Sequence, residues 1–261
     1  DAGQGFLFGE PFVRPALAIE RFERVLEIDP SHDPSLRALE RLYRHTGQWN
    51  ELIATLERHL TATGERRDRV PVFLQMGRVY ADEKRDVEHA EDAFLNVLQI
   101  DPENVDALDA LSRIYETRGD WHRATDMLEQ LAQYVASDPA KAVELRVRVG
   151  KIAETSLGDE LRAVDQYQAA LDIDPAHLPD LEALRAIATR REDWYEVARY
   201  LDREQAATEL PRTRAKLLTE LGRVNAQHLD DQAQSIRCYE EALRCDADQE
   251  EAAWPLCNYY V

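Results

Sequence analysis

Histidines and paired carboxylates are the residues of this sequence that could carry out metal or acid–base chemistry. The seven histidines are spread along the 261 residues, and no two stand four apart, the spacing that puts two metal ligands on one helix face. Acidic pairs such as Glu23 and Glu27 or Glu240 and Glu241 are frequent. Acid–base catalysis needs a concave, partly dry setting, so we interpret these pairs as the solvated face of helices.

Motifs of nucleotide binding and acyl transfer are absent from the sequence. It contains no Gly-x-x-x-x-Gly-Lys-[Ser/Thr] and no Gly-x-Ser-x-Gly. The three cysteines, Cys238, Cys245 and Cys257, are odd in number and form no Cys-x-x-Cys, which argues against a zinc site or a disulfide framework. We therefore expect a protein that is not an enzyme and that uses no metal and no cofactor.

Charge and hydropathy narrow the choice of partners. The net charge of -19 repels phosphate backbones, so no nucleic acid partner is expected, and RNA binding remains a disfavoured hypothesis. No stretch of about 18 apolar residues occurs, so membrane insertion is not expected. No signal peptide pattern opens the chain, which slightly favours the cytoplasm, but the chain begins at Asp1 rather than Met and the compartment stays open.

The elements that must position any site repeat along the chain. Ile-Asp-Pro occurs at residues 28–30, 100–102 and 173–175, and a degenerate copy occurs at 245–247, so the steps are 72, 73 and 72 residues. Three tryptophans and three glycines keep the same step: Trp49, Trp121, Trp194, Gly77, Gly150 and Gly222. Within each period apolar residues recur at spacings of three and four residues, which predicts helices. These three marker sets share one spacing, which predicts a repeat architecture.

Each long period contains two helix pairs, and one type of pair resembles a known family. Met76-Gly77-x-x-Tyr80, Ala90-x-x-x-Phe94 and Pro102 resemble the tetratricopeptide repeat. Similar copies surround Gly150 and Gly222. In the other type Glu40, Ser112 and Arg185 replace the glycine.

The resemblance implies an all-α fold, an α-α superhelix or solenoid of helix-turn-helix pairs wound in a right-handed sense. We expect residues 1–12 to form a non-repeat N-terminal arm and residues 13–261 to form one continuous array. The array is predicted to comprise a half unit, six full units and a truncated unit, with bounds near 33–69, 70–104, 105–142, 143–177, 178–214, 215–249 and 250–261.

Both ends of the predicted array are incomplete units. This predicts a fragment of a longer array, because a solenoid end needs a polar outer face. We expect an apolar surface near Trp254, Leu256 and Tyr260. End-to-end self-association through such surfaces is a further option.

A basic ladder is the candidate binding site. In the family the first helices line the concave surface, and here one equivalent position of these helices is basic in five of six copies: Arg41, Arg78, Arg113, Lys151, Ala186 and Arg223. Arg37 and Arg44 lie one turn on either side of Arg41. The ladder either binds acidic groups of a partner or pairs with neighbouring acids such as Glu116, Glu144 or Glu154. Arg37-x-x-x-Arg41 departs from the Lys-x-x-x-Asn of chaperone-binding members, so chaperone binding is not assigned.

These observations favour a protein–protein interaction scaffold that binds a peptide or protein segment in its concave groove, with a partner that carries acidic groups. A regulatory or substrate-recruiting arm of a larger multidomain enzyme is the first alternative. A self-assembling structural array is the second.

Overall fold

The computed structural model describes residues 15–260, and all regular secondary structure in that range is helical. The chain divides into two compact units, unit 1 ending at Arg118 and unit 2 beginning at Gly119. Unit 1 contains α1 (Pro15–Ile28), α2 (Asp33–Thr46), α3 (Trp49–Ala62), α4 (Val70–Arg78), α5 (Val87–Ile100) and α6 (Val105–Arg118). Unit 2 contains α7 (Trp121–Tyr134), α8 (Pro139–Ile152), α9 (Glu160–Ile173), α10 (Leu178–Arg190), α11 (Trp194–Ala207), α12 (Pro211–Gln227), α13 (Gln232–Cys245) and α14 (Glu250–Tyr260).

The predicted fold class, an all-α helical-repeat solenoid, is therefore confirmed. The predicted arm at residues 1–12 lies outside the described residues. The division of the array into units, and its continuity across residues 118 and 119, stay predictions.

A left-handed residue separates the two helices of each pair. It is glycine at Gly47, Gly119 and Gly158 but Arg85, Glu192 and Asp230 in the other turns. The next residue caps the second helix, and in all but α3 it is an aspartate whose carboxylate accepts the backbone N–H three residues on, as Asp86 does from His89 at 3.2 Å. Turn chemistry thus sets the start of the second helices.

Two kinds of contact hold the helix pairs together. A Cβ added to Gly77 would lie 2.6 Å from the Phe94 ring, and Gly150 and Gly222 face Tyr167 and Tyr239 in the same way. The absence of a side chain on each glycine therefore lets the second helix approach the first closely. Each aromatic ring lies nine residues beyond the left-handed residue of its turn. In pairs without the glycine this position holds leucine, Leu56 in α3 and Leu201 in α11.

The first helices of the glycine-containing pairs differ in length from the others. In two of them the α-helix passes into a π-helical segment, Val79–Lys84 after α4 and Ala153–Leu157 after α8. From the glycine to the left-handed residue there are eight residues in these pairs, against seven from Glu40 to Gly47. The spacing of nine residues from the left-handed residue to the side chain opposite the first helix is the same in both types of pair.

The cores are built from the predicted apolar positions. In unit 1 Leu39 and Tyr43 of α2 cluster with Leu52, Ile53 and Leu56 of α3. In unit 2 Leu184 and Ala188 of α10 share a cluster with Val197 and Leu201 of α11.

The surface predicted on α14 is partly correct. Trp254 and Tyr260 are exposed, as expected. Leu256 was wrongly expected at the surface, since it is buried in a cluster with Ala215, Leu218 and Tyr239, side chains that the preceding helix pair presents to α14.

Candidate partner-binding groove

A groove runs along the first helices of unit 1. It consists of three successive cavities of about 590, 380 and 500 Å³. The first two share Pro71 and Gln75, and the second and third share Arg78, Asp82 and Asp106, so the three lie next to one another. We call this surface, formed mainly by α2, α4 and α6, the unit 1 groove.

Four of the predicted ladder residues line the unit 1 groove. Arg37 lies in the first cavity, Arg44 and Arg78 in the second, and Arg113 joins Arg78 in the third. Arg41 is exposed on α2, and its Nε donates to the carbonyl of Arg37 at 3.4 Å. The repeat register therefore brings basic side chains from three helices to one surface.

Three of these arginines have carboxylate partners within the unit. Arg37 pairs with Asp33 at 2.9 Å, Arg78 with Asp106 at 2.9 Å, and Arg113 with Asp109 at 2.9 Å. All three arginine side chains are at least 60% exposed, so each pair contributes only about 0.2–1 kcal/mol. A partner carboxylate can therefore compete for these arginines at low cost.

Arg41 and Arg44 differ from the other three. Within residues 15–260 neither has a carboxylate at ion-pair distance. Internal pairing is thus observed for Arg37, Arg78 and Arg113, and binding of a partner's acidic groups by the ladder stays a prediction.

Acidic residues of the unit 1 groove were not anticipated from the sequence. Asp82 and Glu83, which follow α4, line the second cavity, and Asp82 also lines the third. Together with Asp106 and Asp109 they make the surface mixed in charge rather than basic. The sequence contains a signal for these ion pairs, because Asp106 follows Arg78 by 28 residues and Glu251 follows Arg223 by the same number.

A histidine held between two carboxylates forms part of the first cavity. His59 Nδ1 lies 2.6 Å from Glu40 Oε1, and its Nε2 lies 3.1 Å from Asp33 Oδ1. The hydrogen bond from Arg37, with a smaller contribution from His59, holds the pKa of Asp33 below its usual value. This cluster fixes α3 to α2 beside the groove.

One amide donor in the groove wall has no partner. Gln75 lies where the first and second cavities meet, and its Nε2 is buried without a hydrogen-bond acceptor among the described residues.

The remaining ladder residues belong to unit 2. Lys151 is exposed on α8, and Arg223 of α12 pairs with Glu251 of α14 at 3.0 Å. Glu154, expected as a partner of the ladder, instead accepts hydrogen bonds from Arg190 at 2.7 Å and from Tyr167 at 3.2 Å.

The described part of the chain contains neither a candidate metal cluster nor a candidate membrane span. Within residues 15–260 no group of three or more His, Cys, Asp and Glu side chains is placed to hold a metal ion. None of the helices described is long and apolar enough to cross a bilayer. The three cysteines are free, and burial raises the pKa of the Cys238 thiol to about 11.

Comparison with known proteins gives a family and a set of similar structures. The tetratricopeptide repeat family model matches residues 35–70 and 107–143. No curated protein matches the chain significantly.

Three solved structures illustrate the likeness. The C-terminal part of a repeat-containing protein of this type from Cytophaga hutchinsonii is 13% identical over 92% of this chain and 93% of that chain, with a TM-score of 0.49. YrrB, a protein with an unusual peptide-binding site, is 16% identical over 91% and 98%, with a TM-score of 0.42. A repeat protein from Parabacteroides merdae is 13% identical over 93% and 91%, with a TM-score of 0.44.

The family model matches two repeats, and the helix pair that follows each of them contains the contact between a glycine and an aromatic ring, Gly77 with Phe94 and Gly150 with Tyr167. Proteins with this fold generally act as non-enzymatic scaffolds for protein interactions. Two tetratricopeptide repeats, at residues 35–70 and 107–143, are thereby identified in this helical-repeat chain.

Proposed function

We propose that the unit 1 groove binds an extended segment of a partner protein. The observation that carries the proposal is the succession of three adjacent cavities along α2, α4 and α6, lined by arginines from all three helices. Rigid helices hold these side chains in place, so binding costs little ordering of the scaffold.

The charges of the groove specify the partner's chemistry. Arg41 and Arg44 on α2 favour a carboxylate, since arginine binds carboxylates with two parallel hydrogen bonds. Asp82 and Glu83 lie on the α4 side of the second cavity and favour a cation. The segment that fits therefore carries an acidic residue near α2 and a basic residue near the end of α4.

The second cavity also offers apolar contact. Trp49 and Leu74 line it between the two charged sides, and both are partly buried. An apolar side chain of the segment would pack between them and act as an anchor, because buried aromatic contacts dominate the binding energy of most interfaces.

A random-peptide display library panned on the 261-residue chain tests the proposal. We expect selected peptides to combine an acidic, an apolar and a basic residue. Arg41→Glu with Arg44→Glu should weaken binding of the selected peptides by about tenfold or more, measured by fluorescence anisotropy, because hydrogen bonds to charged groups contribute about 1.5–3 kcal/mol.

Arg58→Glu with Arg66→Glu is the matched control. Both arginines are exposed in unit 1, outside the lining of the three cavities, so this variant has the same charge change and should bind normally. Equal losses in both variants would show a general charge effect, and unchanged binding in the first variant would place the peptide elsewhere.

A further inference from the structure

The tryptophans that begin α3 and α11 occupy the same repeat position but have different neighbours. The repeat steps align Trp49 with Trp194, and Glu83 with His228, since the residues of each pair are 145 apart. In unit 2 the imidazole of His228 lies flat on the indole of Trp194, with ring centroids 3.6 Å apart and an interplanar angle of 13°. A side chain at this position can therefore cover the indole of its own helix pair.

The indole of Trp49 is not covered in this way. Glu83 stands where unit 2 has the imidazole, and within residues 15–260 no aromatic ring or guanidinium group is stacked on Trp49. Both residues line the second cavity of the unit 1 groove, which has a volume of about 380 Å³. The indole that carries a ring in unit 2 thus borders an open cavity in unit 1.

The charges of the second cavity favour a cation. Asp82 and Glu83 are exposed, and within residues 15–260 neither has a cationic side chain at ion-pair distance. Arg78 is held by Asp106 at 2.9 Å, which leaves Arg44 as the other cation in the lining. Three carboxylates therefore face two guanidinium groups, and one added positive charge would balance them.

A guanidinium group satisfies both the open indole and the excess of carboxylates. It is planar and weakly hydrated, so it can lie on an aromatic face while its N–H groups, which point outward in the plane, donate to carboxylates at the edge. The ammonium group of lysine is compact and strongly hydrated and has no flat face to stack. The stack of His228 on Trp194 shows that a planar group fits on the indole at this repeat position.

We propose that Trp49, Asp82 and Glu83 form a subsite that selects arginine, rather than lysine, as the basic residue of the bound segment. The subsite depends on the proposed function, which requires a basic residue near the end of α4 without specifying it. The guanidinium group lies on the indole and donates to the two carboxylates. The apolar residue of the segment then packs against Leu74 and the remaining edge of the indole.

Small derivatives of amino acids test the subsite directly. Nα-acetyl-arginine methylamide is titrated into the 261-residue chain, and the lysine and citrulline derivatives serve as probes that lack the planar shape or the charge. The readout is the indole N–H signal of Trp49 in a nitrogen–proton correlation NMR spectrum, assigned by its loss in Trp49→Phe. We expect saturable shifts with arginine and at least about threefold weaker binding of the other two probes. The signal of Trp121 should not shift, because Thr155 and Ser156 replace the two carboxylates there.

Substitutions at residue 83 separate stacking from charge. Glu83→His recreates the pair of His228 and Trp194, so it should shift the Trp49 signal in the free chain and abolish binding of the arginine derivative. Glu83→Gln removes the charge but leaves the indole open, and should weaken binding by less than about fivefold. Glu65→His is the matched control, since Glu65 is an exposed residue of unit 1 outside the second cavity, and it should bind normally.

Three results would overturn the subsite. The arginine derivative does not shift the Trp49 signal, or the lysine derivative binds as tightly, or the Glu83→His chain binds arginine as the unmodified chain does.

The peptides selected on the unit 1 groove distinguish this failure from failure of the proposed function. Peptides that lose affinity in the chain with Arg41→Glu and Arg44→Glu, yet bind equally well with lysine in place of arginine, would refute the subsite alone. A library without groove-binding peptides, together with a saturable shift of the Trp49 signal by the arginine derivative, would refute the proposed function and support the subsite.

Discussion

At the scale of single residues, the contact between the two helices of a pair depends on one position in each. Gly77 faces Phe94, and Gly150 faces Tyr167, at distances that leave no room for a methyl group. Glu40 and Arg185 replace the glycine where the second helix contributes leucine. A glycine in the first helix is combined with a large aromatic side chain in the second, and a larger residue in the first helix with the smaller leucine. Both combinations fill the space between the two helices.

Gly77→Ala should destabilise the protein by about 1–3 kcal/mol, because the new methyl group would overlap the Phe94 ring. Urea denaturation measures the loss. Phe94→Leu in the same chain should recover part of it by recreating the combination found in α2 and α3. Gly64→Ala is the control, since no atom lies within 4 Å of the added carbon and little change is expected. If the double variant loses as much free energy of unfolding as the two single variants together, the two residues do not compensate for each other and the explanation is rejected.

A second residue-scale feature is the buried carboxyl group of Asp180. Its Oδ2 lies 2.8 Å from His177 Nδ1, and its Oδ1 is buried without a partner among the described residues. Burial raises the pKa of Asp180 despite opposing contributions from His177 and Lys151. At the aligned position Ser35 makes the same contact with His32 at 2.8 Å and carries no charge.

Asp180→Ser should therefore raise the free energy of unfolding at pH 7 by about 1–2 kcal/mol. Because the folded chain holds this proton more tightly than the unfolded chain, the carboxylate destabilises the fold increasingly as the pH rises above its usual pKa of 3.8. The advantage of the variant should shrink as the pH falls through that range. Urea denaturation at several pH values checks this, and a gain independent of pH would contradict the explanation. Ser35→Asp should have the opposite effect.

At the scale of elements, the turns between paired helices explain how the second helices are positioned. All six turns use a left-handed residue followed directly by the cap of the next helix. Only three of the six left-handed residues are glycine, so the backbone of the others is strained by their Cβ atoms. Glu192 is one of these, with a φ of 56° and an exposed side chain.

Glu192→Gly should stabilise the protein by about 0.5–1 kcal/mol, since glycine adopts this conformation without the clash but loses more entropy on folding. The measurement is the midpoint of thermal or urea unfolding. Glu192→Ala keeps the Cβ atom and should give no gain. If alanine and glycine stabilise equally, removal of the charge rather than relief of strain is the cause.

At the scale of the whole molecule, the order and type of elements were predictable, because the repeat step, the helical spacing and the turn residues all occur in the sequence at fixed distances. The contact of Gly77 with the Phe94 ring is seen only in the structure, although both residues belong to the repeat motif. The carboxylates of the unit 1 groove were not predicted. Asp106 reaches Arg78 from another helix, and which side chains meet across two helices depends on their packing and rotamers.

The burial of Leu256 was missed for a related reason. Its position was judged from α14 alone, whereas Ala215 and Leu218 cover it from the preceding pair. The net charge of -19 does not describe every surface of the protein, because several arginines lie together on one surface of unit 1. Net charge describes the average surface and not the groove.

In each helix pair, the residue at the glycine position of the first helix and the residue nine positions after the turn in the second helix are matched in size. This match limits how a gene of this kind can be rearranged. A crossover between two pairs of helices moves both partners of a contact together and leaves the fit intact. A crossover inside a turn joins the first helix of one class to the second helix of the other. It would oppose Arg185 to a tyrosine, or leave a void beside Gly222. Exchange of whole hairpins is therefore the tolerated route to longer or shorter versions of this protein, and the boundaries between hairpins are the places to cut it.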